Sequence, residues 1–159
     1  MIYLSVGTFR EGFDRLVKIV DEICQKNKLN CFAQIGHGKY IPNYIKYKKF
    51  LTNKNHLHYM KKSNLLILHG GMGVISESIS LKKKFIVFPR TKQEASHDQE
   101  VAIKLLKKKI NFSISKNKYN LENQIMKHLK KKMILDFNLK KSNIPILIKE
   151  YLKNIKIDD

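Results

Sequence analysis

Two periods alternate along this chain. Residues 2–6 (IYLSV), 31–35 (CFAQI), 65–68 (LLIL) and 85–88 (FIVF) are short, largely apolar runs, as expected of parallel strands covered on both faces. Residues 110–114 read as a last strand. Between the runs the period lengthens to that of a helix. Residues 13–26 put Phe13, Leu16, Val17, Val20 and Ile23 on one side. A helix from about Val74 puts Val74, Ile75, Ser78, Ile79 and Lys82 on one side, and the first four can pack on a sheet. A third helix opens at Ser96-His97-Asp98-Gln99, with Val101, Ala102, Leu105 and Leu106 as its apolar face. Residues 121–129 are helical, and residues 142–157 form a closing amphipathic helix with Pro145 in its first turn. The weaker stretches are a loop at 42–47, a short strand at 48–51, a short helix at 55–62 and a polar, mobile connection at 90–95. Thr8-x-x-Glu11 has the form of a capping box. The alternation predicts a single α/β domain over residues 1–159, a Rossmann-like parallel sheet flanked by helices.

The chain is organised around LLILHGGMGVISESISLKKKFIVFP, residues 65–89, which reads as strand, glycine turn, helix, strand. Gly70, Gly71 and Gly73 let the backbone take positive φ and let a ligand approach closely. Such a turn at a strand's carboxyl end, feeding a helix N-terminus, favours an anion. Glu77 lies one helical turn beyond Gly73, on the same face, and leans back toward the N-terminus. There it can accept hydrogen bonds from hydroxyls beside a phosphate, such as those of a ribose, or it is a solvated glutamate near a helix start. In a sheet of this kind ligands sit at the strands' carboxyl ends. That gathers Gly7-Thr8, Gly36, His69 to Gly73, Arg90 and the His97 region around one crevice.

Composition narrows the partners. A chain of 159 residues with 43% hydrophobic content is long enough for one domain with a sizeable core. No apolar run approaches the roughly 20 residues of a membrane span. The first strand begins at residue 2, which leaves no room for a signal peptide. Cys24 and Cys31 read as structural thiols of a reducing compartment, with no metal motif. The net charge of +19 is almost all lysine, since arginine occurs only at positions 10, 15 and 90. Readers of base edges favour arginine, and stacking platforms interleave aromatics with the charge. The lysine clusters at 82–84, 107–109 and 130–132 instead fall at helix ends and turns. An anionic membrane surface is therefore the better candidate than a specific nucleic acid, unless the lysines reflect coding composition alone.

The pattern His69-Gly70-Gly71-x-Gly73, then Glu77, then FIVFP, then His97-Asp98-Gln99-Glu100 resembles the C-terminal domain of glycosyltransferase family 28. That domain is the nucleotide-sugar half of a GT-B enzyme. The opening VGT…FDRLV and Gln34-Ile35-Gly36 resemble the subgroup in which this half is a separate polypeptide. Its members are capsule and exopolysaccharide transferase subunits, and the soluble subunit that adds the second N-acetylglucosamine to a dolichol-linked precursor. The resemblance spans roughly residues 1–109. A complete GT-B enzyme needs an acceptor domain ahead of the first strand, so that half is expected on another chain or absent.

The resemblance implies roles. Gly70, Gly71 and Gly73 match the phosphate loop, His69 the histidine near the diphosphate, and Glu77 the glutamate that holds the ribose hydroxyls. Gln99 with Asp98 matches the pair on the donor sugar, although residues 91–96 depart from the family's spacing. His97 senses sugar or phosphate, or caps the helix; Gly7 and Thr8 close the crevice. Read without the resemblance, His69 is equally a packing or capping residue, and Ser96-x-x-Gln99 a capping box. Arg90 balances phosphate charge or is solvated, and His37, His56, His58 and His128 default to surface or satisfied histidines. The implied function is a UDP-sugar-binding subunit of a two-component, metal-independent hexosyltransferase without a cofactor. Its partners would be a membrane-associated acceptor-binding subunit, which carries the general base, and a lipid-linked sugar acceptor. It would work in the cytoplasm, at the inner face of the membrane. Two other readings remain open: a non-catalytic accessory subunit, and a basic polyanion-binding protein.

Overall fold

In a computed structural model, residues 1–91, 93–94, 99–108 and 110–130 are described. They form β1 (Ile2–Ser5), α1 (Asp14–Lys26), β2 (Cys31–Gln34), β3 (Lys46–Lys48), α2 (Asn53–Lys62), β4 (Leu65–Leu68), α3 (Met72–Ser80), β5 (Phe85–Val87), α4 (Gln99–Lys107), β6 (Ser113–Ile114) and α5 (Lys118–Lys130). The six strands make one parallel sheet in the order β3-β2-β1-β4-β5-β6. The chain winds outward from β1 to β3, then returns to lay β4 on the other side of β1. The strand order therefore reverses between β1 and β4, where a crevice opens beyond their carboxyl ends.

Strand alternation divides the core into two layers. Ile2, Leu4, Leu65 and Ile67 point to the face that carries α1 and α5, with Leu16, Val20, Leu121 and Ile125 against them. Tyr3, Leu66 and Leu68 point to the opposite face, packed by Met60 of α2, Ile75 and Ile79 of α3 and Ile103 of α4. Both faces are covered, which is why β1 and β4 are apolar at consecutive positions. Cys24 and Cys31 are buried free thiols.

Several expectations need correction. The third strand is residues 46–48, not 48–51: an edge strand of exposed lysines around a half-buried Tyr47, with no apolar run to mark it. Thr8 and Glu11 do not cap α1, because a turn closed by Gly12 N–H to Phe9 O intervenes and the N-cap is Phe13. Thr52 supplies a real cap instead: its side chain accepts from Asn55 N–H at the start of α2. On α4 Ala102 and Leu106 face inward as expected, but Ile103 joins them and Leu105 is 52% exposed. The connection after β5 carries side-chain contacts where it is described. Arg15 forks onto Glu94 at 2.8 and 2.7 Å, and Glu94 in turn accepts from Thr91 N–H and Oγ1. Those hydrogen bonds, that of Arg15 first, outweigh partial burial and hold the Glu94 carboxyl down at about 2. The expected helix at 142–157 lies outside the described residues.

Candidate functional site

β4 runs out at Leu68, and His69, Gly70 and Gly71 carry the chain into α3. The helix begins at Met72, so Gly73 belongs to its first turn and not to the loop. Gly71 is the N-cap, in extended backbone, and no side chain caps the helix. The first N–H groups of α3 thus have no intrahelical partner, and the positive end of its dipole faces the crevice.

The glycines here serve room, not handedness. None of Gly70, Gly71 and Gly73 has positive φ; among glycines that conformation falls at Gly7, Gly12 and Gly36. A Cβ on Gly70 would meet Gln99 Oε1 at 2.5 Å and Ile103 Cδ1 at 2.7 Å, and one on Gly71 would run into the His69 ring. Gly73 is different: a Cβ there meets nothing, so its bare Cα borders the open space of a cavity. Across the crevice Gly7, at φ +75°, lies against the same imidazole, and Gly36 lies against the Gly7 carbonyl. Gln34 pins this loop by donating to Gly7 O at 2.9 Å and Lys49 O at 3.0 Å.

His69 stands between the two glycine loops. Its Nδ1 is 3.2 Å from Ser5 O, so Nδ1 carries the proton and Nε2 turns toward Gly7 and Gly71. Burial first, then the charge of Arg90, outweigh the hydrogen bond to Ser5 and push this histidine down to about 4. At neutral pH the ring is uncharged.

Two adjoining cavities share Thr8, His69 and Gly71. One, of about 310 Å³, extends past Gly73 to Glu77, His56 and Asn53. The other, of about 490 Å³, extends to Arg10, Arg90 and Gln99. The Glu77 side chain is 43% exposed in the first, and His56 Nε2 lies 3.2 Å from its Oε2. Gln99 is buried at the start of α4, where its Oε1 accepts from Arg90 N–H at 3.2 Å.

Of the sites expected from sequence that are described, Gly7, Thr8, His69, Gly71, Gly73, Glu77 and Gln99 line this crevice, while Gly70 lines neither cavity and packs against Gln99. His97 and Asp98 lie outside the described residues. Arg90 is not solvated: it is buried, donates to Gly12 O and Val6 O, stacks on Phe13 at 4.4 Å, and lines the second cavity. His56, expected to be unrelated to the site, is a partner of Glu77. No local signal marked it, because Tyr3, His56 and Glu77 meet only in the folded chain. Among the described residues no cluster of three His, Cys, Asp or Glu side chains is disposed to hold a metal ion.

Over residues 1–155 the chain matches the family model for the glycosyltransferase family 28 C-terminal domain. No curated protein matches it in sequence. Among solved structures it is similar to the glycotransferase of kitacinnamycin, at a TM-score of 0.60 and 14% identity, over 94% of this chain and 38% of that one. It is also similar to the spinosyn forosaminyltransferase SpnP, at a TM-score of 0.57 and 11% identity, over 95% of this chain and 39% of that one. The chain spans less than two-fifths of either neighbour, and the likeness is one of fold.

Proposed function

The chain belongs to the glycosyltransferase family 28 C-terminal domain family, and from that premise we propose that it holds the UDP-sugar donor of a two-component glycosyltransferase. The observation that carries this is the pair of cavities joined at an uncapped helix N-terminus. The diphosphate sits at the shared edge, against the α3 amides and His69. The nucleoside lies in the cavity of Glu77, whose carboxylate accepts from the ribose hydroxyls. The sugar lies toward Gln99 and Arg10.

Catalysis by this half is electrostatic. As the glycosidic bond to the leaving diphosphate breaks, charge grows on the phosphate oxygens that face the α3 amides. Those donors are preorganised by the helix and need no metal ion. An arriving diphosphate also places negative charge beside His69 Nε2, and that favours the protonated, donating ring. The base that activates the acceptor hydroxyl belongs to a membrane-associated partner subunit. The acceptor is a lipid-linked sugar at the inner face of the membrane, in capsule or exopolysaccharide synthesis, and the transferred sugar is a hexose.

The basic surface gives the competing reading, in which the chain binds a polyanion. Its contacts speak for structure. Arg15 is paired with Glu94, and Lys83 donates to Lys61 O and Ser63 O at the carboxyl end of α2. A competition experiment decides. UDP and a UDP-hexose should displace one another from a single site, and heparin should displace neither. Displacement of bound UDP by heparin would favour the polyanion reading.

A further inference from the structure

Glu77 does not stand alone in its cavity. Its Oε2 is 3.2 Å from His56 Nε2, and His56 Nδ1 is 2.7 Å from the hydroxyl of Tyr3. The three residues come from α3, α2 and β1. Each is fixed by its own element. Thr52 caps α2, and His56 N–H closes the first turn onto Thr52 O at 2.9 Å. The Tyr3 ring is wholly buried, stacked near Phe32 and Tyr59 at 6.4 and 5.8 Å, with His56 edge-on at 5.5 Å.

The chemistry of the chain Tyr3–His56–Glu77 runs in one direction. Glu77 can only accept while it is ionised. His56 must therefore present N–H at Nε2, which leaves Nδ1 as the acceptor of the neutral imidazole. Tyr3 is its donor, because the buried phenol donates through its hydroxyl. With Oε2 so engaged, the carboxylate is held in one orientation and Oε1 is left for a ligand. We propose that His56, set by Tyr3, is the positioning residue that orients Glu77 toward a ribose diol, and so makes the site select ribonucleotides over 2′-deoxyribonucleotides. This inference rests on the donor-site reading above.

The test measures binding of UDP and 2′-deoxy-UDP to the whole chain by calorimetry, in wild type, His56→Leu, His56→Gln, Tyr3→Phe and Glu77→Ala. Loss of preorganisation in His56→Leu should weaken UDP about tenfold and reduce the preference for UDP over 2′-deoxy-UDP by a similar factor. His56→Gln places an amide N–H near the Nε2 position and should keep most of that preference. Tyr3→Phe keeps the ring stack and should lose part of it. A structural role for His56 would lower both affinities together and leave their ratio unchanged. An unchanged ratio in His56→Leu, beside a lost ratio in Glu77→Ala, overturns the inference and leaves the donor-site reading standing. If His56→Leu does not fold, a wild-type ratio in Tyr3→Phe overturns it instead. No UDP binding in wild type overturns both.

Discussion

Glu77→Ala should weaken UDP binding about 100-fold, which corresponds to ~3 kcal/mol, while the melting temperature stays near that of wild type. The magnitude follows from charge-assisted hydrogen bonds: each hydroxyl that donates to a carboxylate contributes about 1.5–3 kcal/mol, and a ribose offers a pair of them. The stability side follows from position. Glu77 is on the cavity side of α3, 43% exposed, whereas the core contacts of that helix come from Val74, Ile75, Ser78 and Ile79. Removing a partly solvated carboxylate frees His56 to water and leaves no cavity in the core. Glu77→Gln separates charge from shape, since the amide keeps one acceptor and should retain part of the affinity. Calorimetric titration beside a thermal melt checks both halves. Loss of affinity with a collapsed melt would assign Glu77 to the scaffold.

The largest effect on stability is expected at Asp21. It lies on α1 and is 2% exposed. Its carboxylate collects Tyr40 Oη at 2.9 Å and the N–H groups of Asn43, Tyr44 and Ile45 at 2.8, 3.0 and 2.9 Å. The carboxylate thus ties down the segment that leads into β3. Burial alone would raise its pKa, but the donors from Ile45, Asn43, Tyr40 and Tyr44 together bring it below the ordinary value. Asp21→Ala orphans those donors and should cost about 3 kcal/mol, or roughly 10 °C in Tm. The pH dependence has a defined sign. A carboxyl whose pKa is lowered by folding contributes stability that is present above its unfolded value of 3.8 and is lost as pH falls through the lower folded value. Wild type should therefore lose stability on acidification below about pH 4, and Asp21→Ala should lose less over the same interval. Parallel acid limbs in the two proteins would contradict this account.

The strand-turn-helix unit at residues 65–89 was legible because its signals are local and agree. Apolar continuity marks β4 and β5, and the spacing of Val74, Ile75, Ser78 and Ile79 marks α3. The order of α and β elements then places the crevice by topology alone. What escaped the sequence depends on contacts distant in the chain. Asp21 reads as a charged residue beside the apolar stripe of α1, and only the approach of residues 40–45 makes it a hub. His56 reads as a surface histidine until α2 packs beside α3. The role of Gly70 escaped for a related reason: it answers to Gln99 and Ile103, about thirty residues on, which no local pattern reveals. β3 is an edge strand with alternating exposure, and three residues are too few to show a period.

The central claim is that a nucleoside diphosphate sits between the β1 and β4 loops. Its most direct test is a titration of UDP into the isotope-labelled chain, followed through backbone amide resonances. The account predicts saturable shifts concentrated at Gly7, Thr8, His69, Gly71, Gly73 and Glu77, with the lysines of β3 unmoved. Shifts spread over the lysine surface, or none that saturate, would contradict it.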